Sequence, residues 1–298
     1  MTIRASSPDP NPLSNLGPLG QLQGKWRGSG FNLISLPVRR GAAPPDHPPF
    51  RVKLNATTEE LDFNLISSTA IPNRGFIQSD LHFFGLQYLQ TIGDRNGEGG
   101  LHLEPGLWLF APDPAAMPSL YRLATIPHGD ALLAANTMPL IPPFAGPPQF
   151  EASDPRPFPT GQPNQRIVAP GYLDRFFAAV VPPGLDPAIP PGPANPAGAI
   201  QGAIGNPNLV LAAANAGKTF TRTTVFNVSS DVTNLRNIPF VVANANATSM
   251  TSTFWVSEFR AADGNTVLQL QYSQTVILNF DGVDWPHISV GTLMMAFG

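Results

Sequence analysis

From Leu268 to Phe280 apolar and polar residues alternate. Leu268, Leu270, Tyr272, Val276, Leu278 and Phe280 fall on one face, and Gln269, Gln271, Ser273, Thr275 and Asn279 on the other. That is the period of a strand with one buried face. Asp281-Gly282 supplies hairpin turn chemistry, and Trp285-Pro-His-Ile-Ser-Val290 returns as a second strand. The same period recurs upstream. Strand signals cover Leu22 to Ile34, Arg51 to Ile66 around a polar Thr-Thr-Glu-Glu, and Ile77 to Ile92 after a turn at Ile71-Pro-Asn-Arg-Gly75. Asp94 to Gly100 is a polar hairpin loop, and Leu101 to Phe110 is its returning strand, with His102, Glu104 and Trp108 on one side. Leu120 to Asn136, broken at Pro127-His-Gly129, predicts two strands; further signals lie at Lys218 to Ser229, Pro239 to Val242 and Ser249 to Phe259. The run between Asn206 and Asn215 suits helix or strand equally. About ten strands separated by turn signals point to a barrel or a sandwich.

Between Pro139 and Pro196 the pattern stops, because about half of all the prolines fall in this stretch. It predicts a long insertion, about 139–200, with one short helical spacing at Gly171 to Val181; such a segment can act as a docking arm for a partner. Residues 1–21, rich in Pro, Ser and Asn, read as an irregular arm before a single domain over 22–298. Ala43 to Pro49 has loop composition.

Composition narrows the function classes. With 12% charged residues and a formal net charge of -3, the chain lacks the basic surface that nucleic-acid binding requires. The absence of cysteine removes disulfides, thiolate nucleophiles and iron–sulfur ligation. No apolar run is long enough to span a bilayer and the first residues lack a signal-peptide core, so the expectation is a soluble cytoplasmic protein. Gly-x-Ser-x-Gly, the phosphate-loop motif and His-Glu-x-x-His are all missing. An unpaired strand edge or the proline segment would support a homo-oligomer.

Leu22-Gln-Gly-Lys-Trp-Arg-Gly-Ser-Gly, together with a histidine on the final strand, resembles the nitrobindin-like haem-binding barrels and, more broadly, the lipocalin and fatty-acid-binding (calycin) group. The resemblance covers the first strand and the last hairpin. It implies an all-β, calycin-like antiparallel barrel holding one small apolar ligand. Trp26 would then close one end, and His287 would sit at the position that ligates haem iron. The Trp-Pro-His setting departs from that family's histidine context.

His287 is the sharpest candidate, since a neutral imidazole can take an axial position on haem iron; its plainer role is to brace the strand start. Alternation leaves its direction open: either Trp285 and His287 face the lumen, or Ile288 and Val290 do and His287 turns outward. Trp26, Trp285 and Arg74 join it as candidate ligand contacts, and Arg74 or Arg122 could clamp a carboxylate. His128, held between Pro127 and Gly129, is a candidate acid/base, or else an exposed turn residue. His82 with Asp80, and His102 with Glu104, would make one polar cluster if their strands pair, either a surface feature or a buried network. The function expected is binding of a small apolar ligand, with haem first; an enzyme using the same cavity (peroxidase, isomerase or cyclase) and an interaction protein are the alternatives.

Overall fold

The structure is a computed structural model that describes residues 13–37, 50–77, 79–97, 99–112, 119–167, 199–280 and 282–296. The expectations for residues 1–12, the 43–49 loop and the short helix over 171–181 lie outside these.

Among the described residues ten strands, of six to nineteen residues, follow one another around a closed antiparallel sheet. They are β1 (Gly24–Pro37), β2 (Phe50–Leu65), β4 (Leu81–Asp94), β5 (Gly100–Phe110), β6 (Leu120–Ile126), β7 (Asp130–Ala135), β9 (Thr219–Asn237), β10 (Asn246–Arg260), β11 (Thr266–Phe280) and β12 (Val283–Ala296). Each pairs with the next in that order, and β12 returns to β1 from Lys25↔Ala296 to Leu33↔Ile288. Closure leaves the ten-strand ring without a free sheet edge. Two short strands attach to it: β3 (Ile71–Asn73) pairs with β4, and β8 (Phe158–Pro159) pairs with the start of β12. Pro286 lies beyond the last β1 partner, so its missing N–H costs no ladder bond on that side.

The seam between β1 and β12 depends on two glycines directly opposite each other, Gly30 and Gly291. A Cβ on Gly30 would stand 2.3 Å from the Val290 carbonyl oxygen and 2.4 Å from Glu59 Oε1. One on Gly291 would stand 2.4 Å from the Tyr272 ring. Bare backbone here makes room for two inward side chains of neighbouring strands.

Alternation decides what fills the lumen. At one end Trp26, Phe63, Trp108, Phe226, Phe254, Leu270 and Leu293 pack into a single apolar cluster. A 3-10 turn over Ser14–Gln21 closes that end with Leu16 and Leu19, both fully buried. The core therefore takes in residues that composition assigned to the arm. Burying side chains of this size stabilises by about 1.5–3 kcal/mol each.

Among the described residues three short α-helices lie outside the strand ring: α1 (Ala199–Gly205), α2 (Asn208–Ala214) and α3 (Pro239–Asn244). Helices α1 and α2 cover the outer face of β1, β2 and β12, where Ala203, Ile204 and Leu211 pack on Phe31, Leu33, Ile288 and Val290. Helix α3 corrects the strand expected at Pro239 to Val242. Proline at the first helical position has a φ already suited to a helix and lacks only an N–H that would be unpaired there. The Ile71-Pro-Asn segment, expected as part of a turn, instead adds three residues of ladder to β4. The described part of the proline-rich segment is pinned to the barrel wall: Phe144 bridges Thr223 and the Phe150 ring meets Trp255 edge-on at 4.9 Å. No helix among the described residues is long and apolar enough to cross a membrane.

Candidate functional site

Past the packed half, the inward positions become polar or stop meeting across the lumen, and a cavity of about 500 Å³ opens. Ile34, Ile92, Leu132, Leu235, Val276 and Leu278 give it apolar walls, and Phe240 and Val241 of α3 stand beside it. Set among these are Glu59, Gln90, His102, Glu104, His128, Tyr272 and His287. An apolar pocket of this size with a few convergent polar groups is the usual form of a small-molecule site.

His287 faces inward. The apolar Ile288 and Val290 on the opposite face of β12 are satisfied by α1 and α2, which is why alternation could not choose between the faces. The imidazole Nε2 lies 2.7 Å from Asn32 Oδ1, which also accepts a bond from the Ser289 hydroxyl at 3.2 Å. With its oxygen turned to both donors, Asn32 selects the tautomer with hydrogen on Nε2. Nδ1 then keeps a lone pair and has no hydrogen-bond partner. Loss of hydration, reinforced by His102 and His128, pushes the His287 pKa down to about 3, so the ring is neutral near pH 7.

Arg122 lies fully buried beneath the cavity, bonded to Glu104 and Gln274 of its lining. Its Nη2 donates to Glu104 Oε1 at 2.6 Å, its Nε to the Tyr88 hydroxyl at 3.0 Å, and its Nη1 to Gln274 Oε1 at 2.7 Å and Ser252 Oγ at 3.1 Å. The guanidinium also lies over the Tyr88, Trp108 and Phe254 rings. Tyr88 donates to the same Glu104 oxygen. Burial opposes ionisation of Glu104, but Arg122, His102 and Tyr88 outweigh it and hold the carboxyl down at about 2. Its other oxygen, Oε2, meets His102 Nε2 at 3.1 Å, and His102 Nδ1 meets His128 Nε2 at 3.2 Å.

Glu59 behaves oppositely. It has no cationic side chain in contact; the Tyr272 and Thr57 hydroxyls donate to its two oxygens, each at 2.7 Å. Burial dominates these bonds and raises its pKa to about 7. Two lumen carboxylates thus differ in protonation because one has a guanidinium and the other does not.

Of the residues proposed from sequence, His287, His128, His102 and Glu104 converge on this cavity, and Arg122 lies beneath it. Trp26 does not: it is buried in the closed end, its indole N–H donating to the Leu22 carbonyl at 2.8 Å. Trp285 stacks on Phe280 beside the cavity, with ring centroids 5.1 Å apart. Arg74 lies on an exposed loop paired with Asp80, its side chain 79% exposed, and is not part of the cavity wall. β4 and β5 do pair, but the register places Ile92 opposite His102, ten residues beyond His82. His82 is exposed opposite Pro72 and takes no part in the cluster. Arg122 is fully buried and four of its N–H groups donate to Glu104, Tyr88, Gln274 and Ser252, so it is not placed to clamp a ligand carboxylate. Glu59 and Tyr272 were missed as site residues. Glu59 has the same parity as Leu61 and Phe63, and that shared face was the available signal.

No protein-family model matches the chain, and no curated protein does. Among solved structures the chain is similar to Rv2717c from M. tuberculosis, at 11% identity over 95% of this chain and 98% of that one, with a TM-score of 0.42.

Proposed function

We propose that the barrel binds one small, largely apolar molecule in the open half of its lumen, and that haem is the ligand to test first, with His287 on the iron. The observation that carries this reading is a neutral imidazole in an apolar-walled cavity, with a lone pair left on Nδ1. Metal-ligating histidines need the neutral form, and their second ring nitrogen is ordinarily fixed by a hydrogen-bond acceptor. Asn32 is that acceptor here, so the donor set fits a porphyrin iron held through Nδ1. Haem would supply a redox-active iron with a further position for a small ligand. The chain's own part is to orient the imidazole through Asn32 and Ser289, and to surround the macrocycle with Ile34, Val276 and Leu278.

Hemin titration of the purified protein tests the assignment. A Soret band should form at one equivalent and be lost or strongly shifted in His287→Ala. An unchanged spectrum in that variant removes His287 from the iron, and no uptake by the wild-type protein removes haem.

A further inference from the structure

The wall opposite His287 carries a hydrogen-bonded chain from Glu104 through His102 to His128, and with both imidazoles neutral its polarity follows from Glu104. Glu104 is the fixed end. Arg122 at 2.6 Å and the Tyr88 hydroxyl both donate to Oε1, so the carboxylate is an acceptor. Its Oε2 therefore accepts from His102 Nε2–H at 3.1 Å. A neutral His102 with its proton on Nε2 has only a lone pair on Nδ1, so the 3.2 Å contact requires His128 Nε2–H to donate. One atom remains: His128 Nδ1, an acceptor with no hydrogen-bond partner, on a turn residue that is exposed to solvent and also lines the cavity. The turn that carries it is seated against α3, since a Cβ on Gly129 would come within 2.7 Å of Ile238.

We propose that His128, His102 and Glu104 form a proton-accepting relay, and that the cavity takes as ligands small apolar molecules bearing a weakly acidic hydroxyl, a phenol or an enol, and binds them as anions. This rests on the cavity being a ligand site. The step is one proton transfer: the ligand O–H bond breaks, its electron pair stays on oxygen, and the proton forms an N–H bond at His128 Nδ1. The imidazolium that results donates through Nε2 to His102, whose own Nε2–H is held by ionised Glu104. The relay thus stabilises a positive charge at the cavity mouth beside the new oxyanion. On release the same proton returns. Burial lowers the His128 pKa and His102 adds to that, so the bound oxyanion has to outweigh both; Asp130 of β7, the next carboxylate to His128, acts in the same direction as the oxyanion, while His287 of β12 stays neutral. The apolar walls supply affinity for the ring or chain; the relay sets which oxygen functions are accepted.

The test uses the full-length protein, para-nitrophenol and its methyl ether, para-nitroanisole, which has the same apolar body and no proton. The pH is set about one unit below the free phenol's midpoint, where roughly nine-tenths of it is neutral in solution. The expected result is that the bound phenol shows the phenolate absorbance band and binds about tenfold more tightly than the ether, the equivalent of about one pKa unit. His128→Asn and His102→Asn should each abolish the band and the tenfold preference for the phenol over the ether. Bound phenol with the neutral band overturns the relay, as does a phenolate band that persists in either variant. If the wild-type protein binds neither probe, the apolar-ligand reading fails and takes the relay with it; binding of the ether alone overturns only the relay.

Discussion

The two halves of the lumen are built from the same strands with the same inward alternation, yet they do opposite things. Along β11, Leu268 and Leu270 point into the closed end, Tyr272 belongs to both halves, and Gln274, Val276 and Leu278 of the same face line the cavity. The difference lies in what comes from across the barrel. Trp26, Trp108 and Phe254 fill one half with large rings, closed below by Leu16 and Leu19. In the other half the facing positions are Asn32, Gln90 and Glu59; Asn32 is held by His287 and Ser289 and Glu59 by Thr57, Tyr272 and Gln90, all along the walls, so the middle stays open. The packed half supplies stability, and the open half carries polar groups that a simple core would exclude. Arg122 is the boundary between them, with aromatic faces below it and Glu104, Gln274 and the cavity above.

Breaking that boundary should have the largest effect. Arg122→Ala leaves Glu104 buried without its counter-charge, a change that costs about 3–5 kcal/mol in comparable buried pairs. Urea denaturation measures it, and Arg122→Met with Glu104→Leu should recover most of the loss, because two apolar groups need no partner.

A truncation on each side of the boundary sharpens the contrast on one strand. Leu270→Ala opens a void in the packed half and should cost about 2–5 kcal/mol. Leu278→Ala only enlarges an existing cavity and should cost less than about 1.5 kcal/mol. Equal losses would show that the open half is as tightly packed as the closed one.

The cavity's two shifted groups give a third, smaller effect. Glu59, raised from 4.5 to about 7, keeps a proton that the unfolded chain has lost, so its contribution is full below 4.5 and declines as pH rises to 7. His287, lowered from 6.5 to about 3, lacks a proton that the unfolded chain holds, so its contribution grows as pH rises from 3 to 6.5. Between 4.5 and 6.5 the two slopes oppose each other. His287→Gln should unmask the Glu59 slope, with stability falling by about 2 kcal/mol more than in wild type between about pH 5 and about pH 7. Glu59→Gln should tilt the profile the other way.

What was legible in the sequence follows the same division. Strand periods and the ten-strand count came through because alternation is a local property, and the β11–β12 hairpin was marked by Asp281-Gly282. The direction of His287 was not local: it depends on α1 and α2 covering Ile288 and Val290, and nothing in residues 283–290 reveals those helices. Arg122 and Glu104 were each visible as polar residues on apolar strands, but their pairing across β5 and β6 needs the register in which Trp108 stands opposite Arg122. Glu59 was read as part of a polar interruption because Thr57, Thr58, Glu59 and Glu60 are consecutive, although only Thr57 and Glu59 turn inward. Helix α3 was misread because a six-residue element that begins on a proline carries too little period to separate strand from helix.

The smallest expected effect belongs to Arg74, which the sequence offered as a ligand clamp. Its guanidinium is tied to Asp80, whose carboxyl also accepts the Gly75 N–H; that backbone bond comes first among the causes that lower the Asp80 pKa, ahead of Arg74. Both groups are in water, where an ion pair adds little. Arg74→Ala should therefore leave the denaturation midpoint unchanged, and the uptake of hemin or para-nitroanisole as well. The same titrations in Asn32→Ala provide the opposite control: loss of the His287 acceptor frees the ring to adopt either tautomer and should weaken hemin uptake without affecting the ether. A change on mutating Arg74 that matched the change on mutating Asn32 would move the ligand contact out of the lumen and onto the β3–β4 loop.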